Sequence, residues 1–244
     1  FLCGTDEEGR RYLDWPGRGG FTAIDLTSAS NASREIPLVN YAVNPEAIPA
    51  GPGVIATPRP VAQILSSLLA PIRRGPGLRD VVAAVLQPAS EYGDEGIEEL
   101  YQQTVGLLNF RDIPKQVFGH QLAFNLIPSS VFQGGRPPGG APSGILEEEV
   151  GKVTGGGYHL SVQVILAPVF HRHAVMAHVV LPEGRTAGDL LAALEKSGDV
   201  AVGGKNGGAT PVERAGQEGM MAASVWPAHR VSSFWIWAVA DNLA

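Results

Sequence analysis

A single cysteine, Cys3, stands in a chain of 244 residues. No internal disulfide can form, and one thiol fits a reducing compartment. Basic runs are missing as well. Lysine and arginine total 18 against 24 aspartates and glutamates, a net charge of −6, so neither nucleic acid nor a membrane surface is an expected partner. No apolar run is long enough for a bilayer span, and the N-terminus has neither the charged start nor the cleavage pattern of a secretory leader. The expected location is therefore the cytoplasm. Phosphate-cradling motifs are absent: there is no GxGxxG after a strand and no GxxxxGK[ST], and no GxSxG serine exists. The glycines at Gly155 to Gly157 and Gly203 to Gly208 read as turns. His171 and His173 lie two apart, with His159 and His178 near along the expected strands, but no thiol or carboxylate stands at ligand spacing. No metal site is expected.

What is present is ample apolar content, 44% of residues, enough for a sizeable core. The chain is organised around Gly53 to Ile72, where a short apolar strand breaks at Pro58 and Pro60 and a helix begins. Proline is tolerated at the first helical position because its missing N–H would be unpaired there. Val61, Ile64, Leu65, Leu68, Leu69 and Ile72 then form one apolar helical stripe. The start of a helix after a strand presents free N–H groups and positive dipole, a place for an anion or a nucleophile. Here the tip is Thr57-Pro58-Arg59-Pro60, with no nucleophile among them.

Upstream, Phe1 to Cys3 reads as the end of a buried strand with Cys3 as filler, so the sequence is expected to begin inside a domain. A polar helix around Glu7 to Leu13 and a strand at Phe21 to Leu26 continue an alternating β/α layer. Downstream, Leu78 to Gln87 is a valine-rich central strand, Ser90 to Gly96 a polar loop, and Ile97 to Leu108 a helix. Leu122 to Ile127 is a short extended stretch, and Gln133 to Gly144 is a Gly/Pro-rich loop. Leu146 to Val153 is an acidic helix, and Tyr158 to Phe170 and Ala174 to Leu181 are long strands. Thr186 and Asp189 start another helix, and Gly219 to Trp226 and Ser233 to Ala240 are the last strands. The long strands are expected to leave an apolar sheet surface that needs cover.

In order along the chain, these stretches resemble the aspartate-semialdehyde dehydrogenase family. Ala23 to Ala29 is similar to the family's strand ending in Asp and a Ser-Ser-Ala loop, Leu38-Val39 through Glu46 to "PLV…EVNP", and Val54 to Pro58 to "IIANPNCS". Gln87 through Gly93 and Gly96 to Leu100 resemble "QAVSGAG…GVEEL", and Gly119 to Pro128 "PHQIAFNVIP". Pro168 to His173 resembles "VPV…GH", and Trp237 to Leu243 "WVVADNL".

The resemblance implies an α/β and α+β protein: a partial Rossmann-type NAD(P)-binding layer at residues 1–57, its N-terminal half absent, and a large α+β dimerisation domain with a broad mixed sheet at 58–244. It implies a homodimer through that sheet, and NADP as the family's cofactor, with none expected on this stretch of chain. In the family a cysteine at the helix start forms a thioester, assisted by a histidine and a glutamine. Carried over, the glutamine falls on Gln87, the histidine on His173 and the cysteine on Pro60. The arginine that clamps the substrate carboxylate falls on Leu166, the lysine of "EEMK" on Gly151, and the phosphate-binding arginine on Asn31, with Arg34 and Lys152 near enough to compensate for the last two. Loss of a covalent nucleophile alone costs roughly 10⁶-fold in hydrolases. The expectation is a catalytically degenerate, dimeric protein with a structural or regulatory role and an unknown small-molecule ligand. The alternative is an NAD(P)-dependent oxidoreductase of altered, non-thioester chemistry on an aldehyde or oxo group, for which Leu166 suits an uncharged ligand.

Overall fold

The structure, a computed structural model, describes residues 1–14, 19–131, 142–202, 210–212 and 220–241, with side chains from 224 onward in the last segment. The chain opens with helix α1 (Asp6–Leu13), whose start is closed by a reciprocal pair: Thr5 accepts from the Glu8 amide and Glu8 accepts from the Thr5 amide. Strands β1 (Thr22–Asp25) and β2 (Gly53–Ala56) pair in parallel, and single bridges from Leu2 to Asp25 and from Leu38 to Ala56 flank them. The strand expected at the N-terminus is thus reduced to the Leu2 bridge. Phe1 is 85% exposed and Cys3 is also exposed, because nothing among the described residues covers that edge. Cys3 is not core filler.

Helix α2 (Pro60–Arg74) follows, with every residue of its predicted apolar stripe buried. Then come β3 (Asp80–Gln87), α3 (Gly93–Leu108), β4 (Ile127–Pro128), α4 (Ser143–Thr154), β5 (His159–Leu166), β6 (His173–Val180), α5 (Ala187–Ser197), β7 (Val200–Val202), β8 (Met220–Pro227) and β9 (Ser233–Ala240). The seven strands from β3 onward form one mixed sheet in the order β4-β5-β3-β6-β9-β8-β7. β3 pairs in parallel with β5 and antiparallel with β6, which places the valine-rich strand inside the sheet as expected. Odd positions of β3 and β6 and even positions of β5 and β9 face α2, α4 and α5. There Leu65, Leu68, Ile72, Val85, Val150, Val164, Val175 and Ile236 form the core. The opposite face carries Val82, Met176, His178, Trp235 and Trp237, all partly or well exposed, with Met176 opposite Trp237 and His178 opposite Trp235. Among the described residues no helix is long and apolar enough to cross a membrane.

Three local expectations are corrected. The polar loop at Ser90 to Gly96 is instead a 3-10 turn (Ala89–Tyr92) running straight into α3 at Gly93. The strand from Tyr158 stops at Leu166, where Ala167 donates to the Gln87 carbonyl and Val169 closes back on Ala167 around Pro168. The extended stretch at Leu122 to Ile127 instead turns at Ala123-Phe124, with Phe124 at φ 60°, and only Ile127 enters a strand, β4. Its backbone is held by one buried side chain, since Gln103 accepts from the Leu122 and Ala123 amides (2.7 and 3.0 Å) and donates to the Pro114 and His120 carbonyls (2.8 and 3.0 Å). A ladder is not needed there because these groups are already satisfied. The loop at Gln133 to Gly144 lies outside the described residues up to 141, and Gly203 to Gly208 lies wholly outside them.

Candidate functional site

The predicted residues gather in two groups. The first surrounds the start of α2. β1 ends at Asp25, which is buried and accepts from the Thr27 amide (2.8 Å), the Thr27 hydroxyl (2.6 Å), the Ser30 amide (2.9 Å) and the Ser30 hydroxyl. Burial alone would push its carboxyl up, but these hydrogen bonds outweigh it and hold the group below the usual aspartate range. The loop so fixed presents Asn31, buried, whose Nδ2 donates to the Thr57 carbonyl (3.1 Å) and to Glu149 Oε1 (3.0 Å). Glu149, on α4 and with its side chain 3% exposed, also accepts the Arg59 amide at 2.9 Å and pairs with the Arg59 guanidinium. Pro60, the first residue of α2, is half-buried beside this pair.

The helix start that would receive an anion therefore receives Glu149, a carboxylate of the chain itself. Gly151 is two residues further along α4, and a Cβ built there would meet nothing within 4 Å. Lys152, next to it, turns its ammonium onto the Asn31 carbonyl at 2.6 Å and the Ser33 carbonyl at 3.5 Å. A cavity of about 200 Å³ opens here, with Arg10, Ala29, Asn31, Arg59, Glu148 and Lys152 among its lining.

The second group forms by register at the end of the large sheet. Gln87 is opposite Leu166 on β5, and β3 and β6 run antiparallel so that Leu86 faces Ala174, which brings His173 beside Gln87. All three point to the core side, and all are buried. His173 is fully buried, and burial pulls its imidazole down to about 4, with the Asp241 carboxylate acting the other way. Asp241 itself pairs with the buried Arg172 at 3.0 Å. Among the described residues neither ring nitrogen of His173 nor Nε2 of Gln87 has a hydrogen-bond partner. Glu91 places Oε2 3.5 Å from His173 Nε2, with its side chain 5% exposed. Beside it Tyr92 packs edge-on against Phe118 (5.1 Å), and burial, with the Glu91 charge adding, pushes its phenol up.

Glu91 and Glu149 are the residues that sequence reasoning missed. Gln87 and His173 offer a neutral base and an amide donor, suited to moving a proton or orienting a carbonyl oxygen. The chain's one thiol is on Cys3, outside both groups, so no acyl-thioester nucleophile stands at either. Among the described residues no cluster of three metal-binding side chains occurs.

Residues 69–244 match the family described as "Semialdehyde dehydrogenase, dimerisation domain". An aspartate-semialdehyde dehydrogenase from Rickettsia conorii is 23% identical over 249 aligned positions, which cover 100% of this chain and 73% of that protein. A USG-1 protein homolog from Pseudomonas aeruginosa is 33% identical over 129 positions, 52% of this chain and 38% of that one. Among solved structures, a probable aspartate-semialdehyde dehydrogenase from Pseudomonas aeruginosa superposes with a TM-score of 0.86 at 27% identity, over 98% of this chain and 72% of that one.

Proposed function

The chain belongs to the semialdehyde dehydrogenase family, whose dimerisation domain it carries at residues 69–244, and from that premise we propose that it is a catalytically degenerate homologue of aspartate-semialdehyde dehydrogenase, a homodimer with a structural or regulatory role. The observation that carries this reading is Pro60 at the first position of α2, the place that the resemblance gives to the nucleophile, in a chain whose one cysteine is Cys3. Leu166 in the row with Gln87 and His173 removes the guanidinium that would clamp a substrate carboxylate. Residues 1–57 are read as part of an NAD(P)-binding layer and 58–244 as the catalytic and dimerisation domain. Within the first of these and α2, both helix starts are closed by the chain's own carboxylates, α1 by Glu8 and α2 by Glu149.

The test is turnover by the full-length protein: aspartate semialdehyde, phosphate and NADP, or the reverse reaction with NADPH. No turnover is expected, and measurable turnover would sink the proposal. The partner surface is the sheet face with Val82, Met176, His178, Trp235 and Trp237, which a second copy would cover. A second reading draws on the neutral His173 beside Gln87 and Leu166: NAD(P)-dependent reduction of an uncharged carbonyl compound without a covalent intermediate. Calorimetry showing no nicotinamide nucleotide bound to the full-length protein would remove it.

A further inference from the structure

Glu91 is placed where a ligand of His173 would be. Its carboxylate is 3.5 Å from Nε2, both side chains are almost wholly buried, and the imidazole and the neighbouring Gln87 amide have no hydrogen-bond partner among the described residues. Buried polar groups left unmatched in a folded protein mark a place where something else binds or once bound. The sequence offers a reason for the change. In the stretch that resembles "QAVSGAG", Gln87 and Ser90 align with the motif's Gln and Ser, so its next glycine falls on Glu91 and a side chain enters space that a glycine leaves open. The 3-10 turn (Ala89–Tyr92) and the Phe170 carbonyl, which accepts from the Ser90 amide at 2.9 Å, hold the segment in place. Asp241, paired with Arg172 at 3.0 Å, also acts on the imidazole, its charge opposing the effect of burial.

We propose that Glu91 is a specificity-determining residue, a built-in carboxylate ligand of the Gln87–His173 pocket that closes it to small carboxylates. A fixed anion beside His173 repels a second anion at close range, and a tethered carboxylate binds without the loss of freedom that a dissolved one must bear. Removing it opens a site of the size and chemistry of a carboxylate. The inference rests on the reading of Gln87, Leu166 and His173 as the inherited substrate site.

Acetate is the probe, and the His173 ring signal in an NMR spectrum at pH 7 is the readout, assigned by its absence in His173→Asn. Wild-type protein should show no shift up to 50 mM acetate, roughly ten times the half-saturation expected of a four-atom ligand. Glu91→Ala should show a saturable shift, half-complete at roughly 1–10 mM. Glu91→Ser, which also removes the carboxylate but keeps a polar group, gives the same readout if the alanine variant does not fold. An acetate-silent His173 in a folded Glu91→Ala or Glu91→Ser protein overturns the proposal, and so does an equal shift in the wild type. Turnover in the dehydrogenase assay would instead overturn the reading of degeneracy, so the two failures are distinct.

Discussion

Glu149→Ala should destabilise the protein by about 3–5 kcal/mol, the usual cost of removing one member of a buried ion pair. The carboxylate is 3% exposed and its partner guanidinium 14%, so solvent screens the pair little. Its loss strands the Arg59 charge and the Arg59 amide and leaves Asn31 Nδ2 with one of its two acceptors. An orphaned donor costs about 1–3 kcal/mol, but these losses overlap and do not add. For a chain of this length the midpoint of thermal unfolding falls about 2–4 °C per kcal/mol, so a drop of roughly 6–20 °C is expected. Urea denaturation with an unchanged m value would assign the loss to stability. Glu149→Gln keeps an acceptor for the Arg59 amide and should lose less. The decisive measurement is a double-mutant cycle with Arg59→Ala, where the coupling should reach 1–3 kcal/mol, the order found for contacting pairs. A Glu149→Ala loss under about 1 kcal/mol, or a coupling within the roughly 0.5 kcal/mol error of independent sites, would refute the argument that this carboxylate holds the start of α2.

The buried His173 gives a pH dependence. Its folded value, about 4, is below the ordinary 6.5, so the unfolded chain binds more protons between them. Stability is fully present above about pH 6.5 and declines toward pH 4 by at most about 1.4 kcal/mol per unit. His173→Leu should flatten that part of a stability profile, and an unchanged slope would count against the assignment. Gln103→Leu removes the side chain that serves four backbone groups of 114–123 and should cost at least about 3 kcal/mol. Hydrogen exchange at the Leu122 and Ala123 amides should accelerate with it, and retained protection there would contradict the role given to Gln103. Trp237→Glu, on the partly exposed sheet face, should shift the protein from dimer to monomer in sedimentation velocity at micromolar concentration. A wild-type monomer under the same conditions would instead remove the dimer itself.

Much of this architecture was legible because period and burial agree. The stripe from Val61 to Ile72 is a 3.6-residue pattern, and every member is buried. The Thr186–Asp189 start is a local rule, and its two reciprocal hydrogen bonds form. What escaped was polar and internal. Glu147, Glu148 and Glu149 look like one solvated acidic face, yet Glu149 shares the spacing of Leu146, Val150 and Val153, and all four are buried. Glu99 hides in the same way between Gly96, Leu100 and Gln103. It accepts the Val117 and Phe118 amides at 2.8 and 3.0 Å. A charged residue in phase with an apolar stripe is the signal that finds such groups, and composition alone assigns them to water. Glu91 gave a fainter sign, a charged side chain where the resembled motif has glycine, inside a stretch that reads as loop.

The two overlooked carboxylates act on the same problem. If the scaffold was shaped for an anionic substrate, as the proposed function holds, it keeps a helix start with unpaired N–H groups and a buried imidazole, both destabilising when nothing occupies them. An active enzyme retains that cost because its ligand needs the space, the usual tension between stability and function. On the proposed loss of the nucleophile, that tension is relieved, and a carboxylate fixed by the fold can hold each place permanently. Glu149 does so at the start of α2, on the Arg59 amide. Glu91 stands 3.5 Å from His173 at the other place. Pro60 belongs with them: it needs no acceptor for an amide it lacks, so the first turn of α2 leaves one donor fewer to satisfy. On the proposed reading of degeneracy, Pro60 and Glu91 are two changes of one kind, while Glu149, which matches a glutamate of "EEMK", closes the start of α2 with a carboxylate of the chain itself.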